Sequence, residues 1–437
     1  MNNAKKVLLF TILASLSLSV FSLLPNIKTR DYTIKKIDLF SDIKKDTEKS
    51  ATSQPSAIVP IDKQEEKKFD TYSVPGQIIN FSAKTTQPAL AGFIKKLVKV
   101  KKERKGKVRI AFFGDSMIEA DLITQDLRST LQQTFGGSGV GFVPVNDISA
   151  SLRITVNSKS SNDWIKRNYK SENTDGLFIS GNVFSSATGS WLSVKDNTAK
   201  DAVEISLLYG KGSGDIMLDN NIIQIPKGDE FNIKKLKIAN SVEVKIQTPG
   251  MRVFGTSFES SSGVIVDNFS FRGISGVEIN KLNDDLLAQI NIKRPYDLII
   301  LEYGVNVLFR PNDTNFDWYC KKMVPSLTKI KKAFPEADIL MISTGDRAFR
   351  KGDKWESGIG VPNLVKAQAL MAFENHVSFF NLYETMGGKN SIVDWANSNP
   401  PLANKDYVHP NHSGAKKVAA FLSDAIMHEA NKIDSNK

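Results

Sequence analysis

Residues 108–121, VRIAFFGDSMIEAD, decide the fold. Val108, Ile110, Ala111, Phe112 and Phe113 are β-branched, aromatic or small apolar residues in a short run, the pattern of a buried strand. Gly114 permits a sharp turn, and residues 122–135 then carry apolar positions at helical spacing. Ser116 thus falls at a strand-to-helix turn. Open α/β folds place their ligands at that sheet edge, and a helix N-terminus there favours developing negative charge. A nucleophilic serine would stand at such a point. Gly-Asp-Ser taken alone reads first as an ordinary turn with an N-cap serine, so the functional reading must be carried from elsewhere in the chain. Asp115 reads as a brace for the turn through local hydrogen bonds. Glu119 and Asp121 read as capping charges on one exposed helical turn, not as metal ligands.

The bulk composition narrows the classes. The chain has 437 residues, 41% hydrophobic and 24% charged, which is globular in the main and long enough for two or three domains. A single cysteine, Cys320, excludes an intramolecular disulfide framework, and four scattered histidines without cysteine partners argue against structural zinc. The net charge of +11 is concentrated after the N-terminus and in residues 95–107. No nucleic-acid module accompanies it, so we read it as a surface bias toward anionic envelopes, with no nucleic-acid partner.

The order of segments is informative. Residues 1–25 form a short basic start and an uncharged apolar run, VLLFTILASLSLSVFSLL, which is an export signal, either cleaved or kept as a membrane anchor. The absence of a following cysteine excludes a lipoprotein anchor. Residues 26–87 are rich in Lys, Asp, Ser, Thr and Gln, the composition of a flexible tether. From Pro88, Leu90, Phe93, Ile94, Leu97 and Val98 predict an amphipathic helix whose lysines face solvent. The glycines of residues 136–141 lack a P-loop lysine and follow a helix, so they read as a flexible connection and not a phosphate or cofactor cradle.

Helical periodicity disappears over residues 151–262. Short alternating runs such as AVEISLL, residues 202–208, and SVEVKIQ, residues 241–247, predict an inserted all-β sandwich. Strand and helix then alternate again, with YDLIILEY, residues 296–303, the strongest buried strand. Residues 88–150 and 263–437 therefore predict a three-layer α/β/α domain with a parallel sheet.

Near the C-terminus stands Asp406-Tyr407-Val408-His409-Pro410-Asn411-His412, in a loop before the last helix. An acid three residues before a histidine can orient the imidazole while its other nitrogen accepts a serine proton. By itself the pair also reads as a cap or a surface contact. His412 reads as structural or surface.

Taken in order, the serine turn at Ser116, the glycine turn ending at Gly276, Gly304-Val305-Asn306 and Asp406-Tyr407-Val408-His409-Pro410 resemble the four signature blocks of the SGNH, or GDSL-type, hydrolase superfamily. The resemblance implies a flavodoxin-like sheet and a cofactor-free serine esterase. It further implies Ser116 as nucleophile, His409 as base supported by Asp406, and an oxyanion hole from the Ser116 and Gly276 N–H groups and the Asn306 amide. Val307 departs from the aspartate many members carry there. An exported member with a β insertion is similar to the bacterial group that removes O-acetyl groups from cell-wall sugars, its insertion resembling a carbohydrate-binding jelly roll. The implied substrate is an O-acetylated glycan, peptidoglycan or another envelope polysaccharide, met in the periplasm or a comparable extracytoplasmic space. The same machinery also suits an envelope O-acetyltransferase working with a membrane acyl-exporting partner.

Overall fold

The computed structural model describes residues 27–28, 33–34, 68–82 and 87–434. Residues 1–62 and 63–437 are separate units. In the first, Ile27–Lys28 pairs antiparallel with Thr33–Ile34. The apolar run of residues 7–24 lies outside the described residues. Among the described residues no helix is long and apolar enough to cross a membrane.

The second unit is built on a six-stranded sheet. In chain order its strands are β1 (Ile78–Ile79), β2 (Lys107–Gly114), β3 (Gly263–Ser270), β4 (Leu298–Glu302), β5 (Asp338–Ile342) and β6 (Ser378–Phe380). Their spatial order is β3-β2-β4-β5-β6-β1, parallel throughout except for antiparallel β1 at the edge. The five parallel strands, numbered among themselves, run 2-1-3-4-5, the flavodoxin-like order, so the chain reverses direction across the sheet at β2.

Side-chain alternation assembles the three layers. Val108, Ile110 and Phe112 point into one core with α1 (Ala91–Glu103), α2 (Thr124–Phe135) and α6 (His412–Asp434). Ala111 and Phe113 point into the other, with α3 (Asp284–Lys293), α4 (Asp317–Ala333) and α5 (Val361–Glu374). Leu298 and Ile300 divide from Ile299 and Leu301 in the same way. A strand covered on both faces favours apolar residues on both, which is why residues 298–301 of β4 read as a continuous run.

The insertion is a sandwich of two antiparallel sheets, one ordered Asn232–Ala239, Val203–Tyr209, Arg252–Glu259, Asn182–Ser185, Ile165–Asn168, the other Asn221–Gly228, Gly212–Leu218, Ser241–Ile246, Trp191–Asp196, Val156–Ser160. Leu192, Val194, Ile205, Leu207, Val242 and Val244 fill the space between them.

Three expectations change. The polar tether was expected to reach residue 87, yet β1 pairs with β6, and Phe69, Tyr72 and Phe81 form an aromatic cluster with Phe373 and Phe379. Among the described residues of that stretch, Phe69, Ile78 and Phe81 are buried in otherwise polar sequence, so composition hid them. The β unit was expected to begin at residue 151, yet Gly141–Pro144 already pairs with Arg252–Glu259. The glycine run is not a flexible connection. Gly137 and Gly263 cross so closely that a Cβ on Gly263 would lie 2.3 Å from the Gly137 nitrogen, and both have positive φ. Hydrogen bonds between Ser138 and Ser260 join the two ends of the insertion beside this crossing.

Candidate active site

Ser116 sits immediately beyond the C-terminal end of β2. Gly114 is required there, because a Cβ would lie 2.8 Å from Ile118 Cγ1 and 3.1 Å from the Glu302 carbonyl. Asp115 caps the short 3-10 turn Ser116–Asp121 by accepting the Met117 N–H at 3.0 Å. The expected strand-to-helix junction is more elaborate than the sequence implied. Ala120 and Asp121 have φ of 56° and 67°, a kink that separates the serine turn from α2. Ser116 therefore does not stand at the N-terminus of the long helix, and the polarisation there comes from the local turn.

The kink is held by charge. Asp121, fully buried, accepts from Arg128, Thr124, Thr155 and Arg153. Burial opposes its ionisation, but the two guanidiniums dominate and hold the carboxyl far below the ordinary range. Glu119, also buried, pairs with Arg272. These acids are thus not exposed capping charges, as the sequence suggested. Arg153, at the start of the insertion, ties it to the serine turn. Among the described residues no group of acids, histidines or cysteines could hold a metal ion.

Ser116 and the pair Asp406 and His409, from opposite ends of the domain, meet at one sheet edge. The Ser116 Oγ lies 2.8 Å from His409 Nε2, and His409 Nδ1 lies 2.7 Å from Asp406 Oδ2. Asp406 Oδ1 also accepts the N–H groups of Val408 and His409, at 3.0 and 3.1 Å. Partial burial raises the Asp406 pKa, but the His409 ring and these N–H groups outweigh it, so the carboxyl is held below its ordinary value. An ionised Asp406 fixes the proton on Nδ1 and leaves Nε2 free to accept from Ser116.

The Asn306 amide donates to Asp115 Oδ2 at 2.8 Å and to the Ile274 carbonyl at 2.9 Å. It therefore ties the serine turn to the glycine turn, and it can serve an oxyanion only by giving up or sharing one of these bonds. Gly276, with φ of 90°, opens the 3-10 turn Val277–Lys281, where a Cβ would lie 2.7 Å from the Tyr303 ring. His412 is exposed on the first turn of α6.

Several groups at the site escaped the sequence reading. Glu302, at the end of β4, is fully buried with neither side-chain oxygen hydrogen-bonded. Burial, and then the neighbouring Asp115, push its pKa well above the ordinary value. Asp115 is raised to about 7, chiefly by burial and against the Met117 N–H, His409 and Asn306. The pair thus carries at most one charge near neutrality. A glutamate inside an apolar strand was the available signal. The hairpin Ala348–Lys351 with Lys354–Ser357 left a fainter one: its Trp355 stacks on Tyr407 with centroids 4.4 Å apart, and the Ala348 N–H bonds the Tyr407 carbonyl at 3.0 Å.

Comparison with solved structures bears on the fold. A peptidoglycan O-acetylesterase superposes with a TM-score of 0.70 at 20% identity, covering 81% of this chain and 99% of that one. The chain has that protein's fold. A family two carbohydrate esterase from Cellvibrio japonicus (TM-score 0.27, 11% identity, 63% of this chain and 98% of that) and an acetyl xylan esterase (0.28, 17%, 37% and 80%) share less. Neither a family model nor a curated protein sequence matches the chain.

Proposed function

We propose that this chain is an exported serine esterase that removes O-acetyl groups from a cell-wall glycan. The observation that carries the reading is the continuous hydrogen-bond relay from Ser116 through His409 to Asp406. In the first half-reaction His409 Nε2 takes the Ser116 proton as Oγ attacks the acetyl carbonyl. The Ser116 and Gly276 N–H groups stabilise the tetrahedral oxyanion, joined by the Asn306 amide as it gives up or shares its bond to Asp115 or Ile274; a free donor of this kind is worth about 3 kcal/mol. Collapse returns the proton from His409 to the departing sugar oxygen and leaves acetyl-Ser116. Water, deprotonated by the same nitrogen, then releases acetate and restores the serine.

The exposure of the relay favours hydrolysis. Side chains of Asp406 and His409 are 47% and 33% exposed, so water reaches the acyl-enzyme. A transferase must hold water away from that intermediate. Glycan as substrate is supported by the likeness to the peptidoglycan O-acetylesterase. Export rests on the apolar N-terminal run, and an extracytoplasmic site follows from the substrate. The purified protein is expected to release acetate from O-acetylated peptidoglycan and from 4-nitrophenyl acetate, and Ser116→Ala is expected to abolish both. Equal acetate release by the two proteins would refute the assignment, and acetylation of a glycan acceptor at the expense of hydrolysis would favour the transferase.

A further inference from the structure

Beside the relay stands a guanidinium that pairs with no carboxylate among the described residues. Arg109, Arg128, Arg153 and Arg294 are each largely buried, and each meets an Asp or Glu. Arg347 is also withdrawn from solvent, yet the hydrogen bond it makes is from Nη1 to the Val305 carbonyl, and its buried Nε–H has no acceptor. The Phe349 ring covers one side of the group, 4.9 Å from Cζ. Burial pulls the Arg347 pKa below its ordinary value, and the negative charge of Asp406 acts in the opposite direction. A desolvated cation with one neutral acceptor is poorly compensated.

Nε is closed to solvent and Nη1 is held by Val305, so it is the outer Nη2 edge of the group that its position offers to a ligand. Arg347 follows β5 at the same sheet edge as Ser116, anchored to the residue before Asn306 and joined through Ala348 to the carbonyl of Tyr407. The rest of the hairpin presents Arg350, Lys351 and Lys354 to solvent. Across the site, Arg272 remains 58% exposed although paired with Glu119. Lys351 pairs with Glu356 and Arg272 with Glu119, which leaves Arg347 the cation beside the relay without an ion-pair partner among the described residues.

We propose that Arg347 binds a carboxylate carried by the acetylated sugar or its neighbour, so that the enzyme selects acidic over neutral glycans. This rests on the esterase reading and adds the substrate's charge to it. Arginine suits the task because its planar donors remain charged at every working pH and match carboxylate geometry. The hydrogen bond to Val305 fixes the fork before substrate arrives, which spares ordering entropy.

The test compares two forms of one substrate. Soluble O-acetylated muramic acid oligosaccharides with free carboxylates are assayed against the same material converted to neutral methylamides. Wild-type kcat/KM is expected to favour the acidic form by roughly ten- to hundredfold, mostly through KM. In Arg347→Gln, with a melting curve as the check on folding, that ratio is expected to fall to near one. An unchanged ratio in the variant, including equal loss on both forms, would overturn the proposal and leave Arg347 a brace for the Val305 loop. Absence of discrimination by the wild type would overturn it without any variant. Failure of the wild type to release acetate from either form or from 4-nitrophenyl acetate would instead bring down the esterase reading, and this one with it.

Discussion

Replacing Asp406 by Asn and by Ala should separate two things the carboxylate does. One oxygen orients His409, and the other holds the Val408 and His409 N–H groups. Asn can keep the backbone contacts through its carbonyl oxygen, but it then turns an amide N–H toward Nδ1. The imidazole must answer as an acceptor there, which places its own proton on Nε2 and blocks it as a base. Such a tautomer error costs a triad on the order of 10⁴ in kcat. Asp406 is nearly half exposed, so competing water softens the effect, and roughly 10³ is expected. Ala removes the charge and leaves the ring free to adopt either tautomer. Loss of a charge-assisted hydrogen bond is worth about 1.5–3 kcal/mol before screening, and after screening a fall of roughly tenfold is expected. Asn should thus be the worse enzyme and the more stable protein. Steady-state hydrolysis of 4-nitrophenyl acetate, set beside thermal melting, reads both quantities. An Asn variant more active than the Ala variant would refute the tautomer argument.

Other perturbations test the supports. Asp121→Ala leaves Arg128 and Arg153 buried without their shared acid, so a loss of about 3–5 kcal/mol is expected in denaturant unfolding. Glu302→Gln should flatten the pH dependence of stability. A buried acid with a raised pKa stabilises the fold below its unfolded value and ceases to as pH rises through the folded value, so wild-type stability should decline across that window more steeply than the variant's. Trp355→Ala removes the stack on Tyr407, and a loss of roughly 1 kcal/mol in stability is expected together with a several-fold fall in kcat, because the loop bearing Asp406 and His409 loses its backing.

The parts legible in the sequence were those written in periodicity and in short motifs. A continuous apolar run, residues 110–113 of β2 and 298–301 of β4, announces burial on both faces, which is why these strands and their three-layer setting could be read directly. The residues of the relay could be named because each falls in a short local pattern at a loop. What stayed hidden was pairing across distance. Nothing in MIEAD states that Asp121 will turn inward to meet Arg128 and an arginine 32 residues later. Ile78 and Phe81 lie in a polar stretch whose average composition is that of a linker, and only the β6 edge makes them core. The same holds for Arg347, whose significance is a buried Nε–H with no acceptor among the described residues, a fact about neighbours and not about the residue itself.

Covalent capture of the nucleophile tests the central assignment most directly. After incubation with a fluorophosphonate, digestion and tandem mass spectrometry, the adduct is expected on Ser116 in the wild type and is expected to be nearly lost in His409→Ala. Modification elsewhere with Ser116 untouched, or labelling of Ser116 at the same rate without His409, would contradict the proposed relay.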